Sequence, residues 1–270
     1  MADTSAIRAF EHAGWERAAH SYEVSFATAT RQFIPALLDA AEVGTGRSVL
    51  DVACGPGFVA AEAAGRGAAA HGLDFSAAML RIARALHPGI AFDEGDAEAL
   101  PYPDGSFDAV VANFGIHHVP RPIVALRQTA RVLRAGGRLA FTIWAAPAEN
   151  VAWRLVFDAI RRCGDPSASH APAPGGGFAT PGDCLAALEQ AGFIGIGARK
   201  LGGFWEQADG EGLLGALRSG TARMAALIGA QAKAAIPAIV TDIEREAAEY
   251  RCPQGLAIPI AAVVAFGRKA

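Results

Sequence analysis

The first half of the chain holds three glycine-and-acid clusters and a pair of histidines whose order suits an adenosine-type ligand and a proton transfer. The first cluster is Val49-Leu50-Asp51-Val52-Ala53-Cys54-Gly55-Pro56-Gly57, an apolar run that ends in a glycine-rich turn. Gly55 and Gly57, on either side of Pro56, permit positive φ and let a ligand approach the backbone closely. Alone, Gly55-x-Gly57-x-x-Ala60 also fits the dinucleotide fingerprint. Asp51 weighs against that reading. A diphosphate over this turn needs a helix N-terminus free of anions, whereas a cationic ligand is favoured by a nearby carboxylate. Asp51 could equally bind loop amides, and the two roles are compatible.

The second cluster, Gly72-Leu73-Asp74-Phe75-Ser76, places an acid at the end of the next apolar run, nineteen positions after Gly55. Such a carboxylate can accept both hydroxyls of a ribose. Its alternative is an acid ahead of the next helix, for which Ser76 is the better cap. Met79, one turn further, lies beside an adenine or fills the core. The third cluster, Gly95-Asp96-Ala97-Glu98, offers the Asp96 carboxylate to an exocyclic amine and the Ala97 amide to a ring nitrogen. Without such a ligand, Asp96 and Glu98 are solvated loop acids. His117 and His118 follow the fourth apolar run, where ligands sit in open α/β sheets. An unperturbed imidazole titrates near neutral pH, so either can serve as a general base, or both can shape the turn.

The elements that must position these residues alternate regularly. Residues 5–42 are helical in pattern, with Phe10, Trp15, Tyr22, Phe26 and Phe33 at helix-like intervals. Strands are then expected at 48–53, 69–74, 90–94, 107–113 and 138–144, with helices at 58–64, 77–86 and 123–133. The strands are short and almost wholly apolar, as when helices cover both sheet faces. Alternating β and α elements imply an open, parallel, doubly wound sheet. Beyond Trp144 the rhythm changes. A helix at 151–163 precedes a loop, 164–181, that includes Gly175-Gly176-Gly177. Thr180-Pro181 then reads as a helix start, with Thr180 as the cap. A helix to Ala191, a strand at 193–199, two or three helices within 209–250 and a closing strand at 258–266 complete the pattern. The division expected is an N-terminal helical segment, 1–44, and one domain, 45–270, with a helical insert or cap at 205–250.

In order and spacing, VLDVACGPG (49–57), GLDFSAAML (72–80), GDAEALPYPDGSFDAVVANFGIHHV (95–119) and RVLRAGGRLAFTIWA (131–145) resemble the class I S-adenosylmethionine-dependent methyltransferases, close to the ubiquinone/menaquinone-biosynthesis type and its small-molecule relatives. The resemblance covers roughly residues 45–145. It implies a Rossmann-like seven-stranded sheet with an antiparallel last strand, and S-adenosyl-L-methionine as cofactor, leaving S-adenosyl-L-homocysteine. Contacts are implied at Gly55, Pro56, Gly57, Asp74, Phe75, Met79, Asp96, Ala97, Asn113 and Phe114. N-terminal helices folded over the cofactor would bring Tyr22 or Trp15 to its methionine end. Asp51 then faces a sulfonium and an ammonium instead of phosphate. The competing readings are an NAD(P)-dependent oxidoreductase and a non-catalytic protein that binds the same cofactor.

Composition narrows the partners. Of 270 residues 52% are hydrophobic and 19% charged, which suits a globular enzyme. A formal net charge of -3 provides no field to attract nucleic acid. The longest apolar run, 257–266, is too short to span a membrane. Cys54, Cys163, Cys184 and Cys252 are widely spaced, so they read as reduced thiols of a cytoplasmic protein and not as metal ligands. A small, partly apolar substrate is expected, with Trp144 and Trp153 as candidates to line its pocket. The loop 164–181 and helices 209–250 are expected to shape that pocket. Neither the accepting atom nor the oligomeric state is legible.

Overall fold

The computed structural model describes residues 3–172, 178 and 180–270. The glycine run 175–177 of the expected loop lies outside the described residues. Three helical pieces come first: α1 (Thr4–Tyr22), α2 (Ala27–Thr30) and, after a single 3-10 turn, α3 (Ile34–Ala40). Asp3 caps α1 by accepting the amides of Ser5 and Ala6. The helical pattern expected through 42 is therefore interrupted after Tyr22.

The alternating stretch delivers β1 (Ser48–Val52), α4 (Phe58–Gly65), β2 (Ala69–Asp74), α5 (Ala77–Leu86), β3 (Ala91–Glu94), β4 (Phe107–Asn113), α6 (Pro122–Val132) and β5 (Leu133–Trp144). The rest comprises α7 (Val151–Cys163), α8 (Pro181–Gln190), β6 (Phe193–Gln207), α9 (Gly210–Gly220), α10 (Ala222–Gly229), α11 (Ile236–Glu246), β7 (Arg251–Cys252) and β8 (Gly255–Lys269). Thr180 caps α8 in a full capping box with Asp183, and Ser76 caps α5 by accepting the Met79 amide.

The sheet runs in the order β3-β2-β1-β4-β5-β8-β6. β1 to β5 pair in parallel, and β8 inserts antiparallel to both β5 and β6. The doubly wound sheet with its antiparallel last strand is thus as expected. An eighth strand, the two-residue β7, folds back on β8. β6 extends through Gln207, where the insert was expected to begin at 205. The glycines of the stretch 200–205 hid a strand that pairs with β8 along its whole length.

Alternation along the central strands builds two cores. Val49, Ala109, Val111, Ala140 and Val264 face Ile34, Leu37 and Leu38 of α3. Leu50, Val110, Leu139, Val263 and Ala265 pack with Leu126 of α6 and Leu188 of α8. A third cluster joins α7, α9 and α11 around Trp205. No helix among the described residues is long and apolar enough to cross a membrane.

α1 crosses the C-terminal edge of the sheet and is fastened along its C-terminal half. Glu16 accepts the Ser76 hydroxyl at 2.6 Å and the Ala78 amide at 3.0 Å, while the Ser21 hydroxyl donates to the Ser219 carbonyl at 2.9 Å. Gly14 seats α1 on α10, since a Cβ at Gly14 would clash with Ala222. Gly14→Val is expected to cost about 1–3 kcal/mol by overpacking. The measurement is the urea midpoint at constant slope, and an unmoved midpoint would contradict this packing.

Candidate functional site

One cavity lies at the C-terminal ends of β1, β2 and β4, roofed by α1, and encloses about 880 Å³ of atom-free space, part of it open to solvent. This is where the strand order reverses, the usual ligand position in such sheets. At one end lie Gly55, Asp74, Phe75, Met79, Asp96 and Ala97; at the other lie Trp15, Tyr22, Phe26, Phe114, Trp144 and His118.

Backbone strain forms the first wall. After β1 the chain takes positive φ at Ala53 (56°), Gly55 (52°) and Gly57 (81°). A Cβ on Gly57 would meet the Phe92 ring at 2.7 Å, whereas one on Gly55 meets only the Met79 sulfur at 3.9 Å. Gly57 is therefore the packing glycine, and Gly55 is the one open to a ligand. Pro56 and Gly57 do not line the cavity. Phe114, at the end of β4, is also left-handed with φ 56°. Its amide is held by Thr142, whose hydroxyl donates to Asn113 Oδ1 at 2.6 Å.

Two carboxylates stiffen the turn. Asp74 Oδ2 accepts the Gly55 amide at 2.8 Å, and Oδ1 accepts the Ser76 amide at 2.9 Å. Asp51 lies beneath the turn, 1% exposed and off the cavity wall, and accepts the Ala60 amide at 3.2 Å. Of its two expected roles, Asp51 thus takes the loop-binding one. Burial pushes its carboxyl well above the usual carboxylate range, against the pull of the Ala60 amide. Burial also pushes Asp74 up to about 6, partly offset by the Ser76 and Gly55 amides. Two amides of this turn and helix start, those of Gly55 and Ala60, are therefore bonded to acids and not open to a diphosphate.

α1 contributes residues that sequence reasoning did not single out. Arg8 lines the cavity and pairs with both Asp96 and Glu98. Glu98 is not a solvated loop acid: it is 6% exposed and also accepts the Arg121 amide and guanidinium at 2.7 and 2.8 Å. Glu11, 1% exposed, lies 3.1 Å from His118 Nδ1 and 2.7 Å from Arg223 Nε of α10, and accepts the Trp15 indole N–H at 3.1 Å. The available signal was position, because Glu11 falls in the buried stripe Ile7, Glu11, Gly14, Ala18.

The two histidines separate. His118 lines the cavity, edge-on to Trp15 with centroids 5.0 Å apart. His117 does not line it, and burial drives its pKa well below the ordinary histidine value. Aromatic rings form the far wall: Trp144 stacks on Phe114 at 4.0 Å, and Tyr22 hydrogen-bonds Thr30 at 3.2 Å. Trp153 packs behind Trp144 without reaching the cavity. No described residue of 164–181 or 205–250 lines it either; α9 and α10 back α1 instead.

The residues present fit an adenosyl cation. The Asp74 and Asp96 carboxylates line the cavity, while Asp51, whose Oδ1 has no hydrogen-bond partner, lies beneath it. The lining at the glycine end supplies acceptors, and no phosphate-binding amide is free at Gly55.

Comparison with known proteins agrees. Residues 50–141 match the family described as methyltransferase domain. Demethylmenaquinone methyltransferase of Renibacterium salmoninarum is 40% identical over 118 residues, 44% of this chain and 50% of the relative. The chain thus spans about half the length of the curated relatives it matches. A SAM-dependent methyltransferase from Thermotoga maritima shares the fold with a TM-score of 0.57 and 19% identity, over 96% of this chain and 100% of that one. Phosphoethanolamine N-methyltransferase 2 of Haemonchus contortus, solved with S-adenosylhomocysteine, has a TM-score of 0.54 and 18% identity, over 88% of this chain and 52% of its own. Residues 50–141 thus match a methyltransferase-domain family, and the strand order and the acid-held glycine turn agree with the fold of the solved methyltransferases.

Proposed function

We propose that the protein transfers a methyl group from S-adenosylmethionine to a planar aromatic small molecule bearing a hydroxyl, of the quinol kind. The observation that carries this reading is the division of one cavity into an acceptor-rich end and an aromatic end, with His118 in the wall of the latter. The relatives named for demethylmenaquinone support the substrate class.

Bound there, S-adenosylmethionine supplies a methyl group already activated by its sulfonium charge. Gly55, Asp74, Phe75, Met79, Asp96 and Ala97 would hold its adenosyl part, and Tyr22, Asn113 and Phe114 its amino-acid part. The buried Asp51 contributes through the turn it braces. The acceptor stacks among Trp15, Phe26 and Trp144, and the α1 roof excludes water, so positioning lowers much of the barrier. His118 accepts the hydroxyl proton; His117, buried and neutral, shapes the turn behind it.

The direct test offers labelled S-adenosylmethionine with naphthohydroquinone, catechol and a non-aromatic alcohol. Methylation of the aromatic acceptors, seen as a mass gain of one methylene, is expected; thermal stabilisation by NAD(H) but not by S-adenosylhomocysteine would reverse the reading. His118→Ala is expected to lower kcat by about 10²-fold or more with cofactor affinity intact.

Asp74 generates a pH dependence. Because it holds a proton up to about pH 6, a ribose donating two hydroxyls binds the ionised form better. Calorimetric affinity for S-adenosylhomocysteine should therefore fall about tenfold per unit as pH drops below that value. Asp74→Asn should bind about 1–3 kcal/mol more weakly and lose this slope. Tighter binding in acid would overturn the assignment.

A further inference from the structure

Glu11 is a carboxylate at the centre of a helix face that otherwise packs Ile7, Gly14 and Ala18, with 1% of its surface exposed. Burying an ionised acid costs several kcal/mol unless partners repay it. Here one hydrogen bond and two ion-pair contacts converge on it: the Trp15 indole N–H donates at 3.1 Å, while His118 Nδ1 at 3.1 Å and Arg223 Nε at 2.7 Å lie within ion-pair distance, outside hydrogen-bond geometry. A plain structural ion pair would need only the arginine. Glu11 instead divides its oxygens, with Oε1 facing Arg223 and Oε2 facing His118 and Trp15.

Resting on the reading of His118 as proton acceptor, we propose that Glu11 is its positioning residue. It fixes the ring with a proton on Nδ1 and leaves Nε2 as the acceptor toward the cavity. A neutral imidazole has one donor and one acceptor nitrogen, and the partner of one decides the role of the other. A carboxylate can only accept, so the 3.1 Å approach of Oε2 to Nδ1 favours the tautomer with its proton on that nitrogen. The edge-on Trp15 ring and the neighbouring His117 ring, 4.2 Å from His118 centroid to centroid, restrict rotation of the imidazole. When the acceptor hydroxyl gives its proton to Nε2, its oxygen keeps the electron pair and His118 becomes an imidazolium. The Glu11 charge then lies against that new cation. Arg223, held at its other end by the Pro172 carbonyl at 2.7 Å, balances Glu11 before the proton arrives. Because Glu11 belongs to α1 and His118 to the loop after β4, the pair exists only when the roof is seated on the sheet.

The test is the tautomer itself, read from the long-range proton–nitrogen spectrum of histidine-labelled full chain above neutral pH. The His118 signals are assigned by their loss in His118→Ala. The expected spectrum shows Nδ1 protonated in the unaltered protein; a protonated Nε2 would overturn the proposal with no variant needed. Glu11→Gln keeps an acceptor for Arg223 but can turn its amide toward Nδ1, so it should shift His118 toward the Nε2-protonated form. With naphthohydroquinone as probe, its kcat should fall about 10- to 100-fold with KM for both substrates within twofold, and Glu11→Asp should recover part of the loss. Calorimetric binding of S-adenosylhomocysteine verifies that each variant is folded. An unmoved tautomer in Glu11→Gln, beside an inactive His118→Ala, overturns the role of Glu11 alone. Full activity in His118→Ala overturns the base and Glu11 together.

Discussion

The site depends on two bonds between acids and backbone amides, Asp74 to Gly55 and Asp51 to Ala60. They tie the ends of β1 and β2 to the loop and helix that follow β1, and they close that helix start to anions. In a diphosphate site the same amides would face the ligand. The exchange of phosphate for carboxylate is made inside the protein, before any ligand arrives. It also explains how so buried a pair of acids is tolerated: each has an amide donor, and a cationic ligand would offset the remaining charge.

Around that fixed turn the cavity is bounded by strain. Ala53 and Phe114 both adopt left-handed backbone at the ends of neighbouring strands, which costs non-glycine residues on the order of 1 kcal/mol or more each. The intervening contact is close enough that a Cβ at Gly115 would clash with the Ala53 methyl. Thr142 holds both the Phe114 amide and Asn113, so the aromatic wall inherits its position from β5. The acceptor-rich end is thereby set by backbone and acids, and the aromatic end by side-chain stacking. These are physically separate means of recognition.

What the sequence made legible follows from the range of the forces involved. The glycine turn, the Ser76 cap and the Thr180 cap are local patterns, and the structure places them as their spacing implied. The parallel sheet was readable because its strands are apolar on both faces. Asp51 was read for its charge, but burial governs it and the turn amide claims it. His117 and His118 were indistinguishable as neighbours, since the difference lies in tertiary packing: His118 meets Glu11 and Trp15 of α1 and lines the cavity, and His117 does not line it. Glu11 and Arg8 escaped notice, and Glu98 was read as solvated, for one reason. A charge is ordinarily solvated, and the partners that make these buried or cavity-lining lie 88 to 107 residues away for Arg8 and His118 and farther still for Arg223. The glycine-broken second half of β6 was hidden likewise, because its strand character comes from pairing with β8.

α1 carries Arg8 at the acidic end of the cavity and Tyr22 at the aromatic end on one uninterrupted helix. Fourteen residues of helix make a rod of about 21 Å, and each residue turns it by about 100°. The roof therefore behaves as a keyed bar: inserting or deleting one residue in its middle would leave its hydrophobic length almost unchanged while rotating one half of its teeth out of their slots. Substrate range in such a protein can drift by changing the teeth, but the count between them is held by the geometry of the lock.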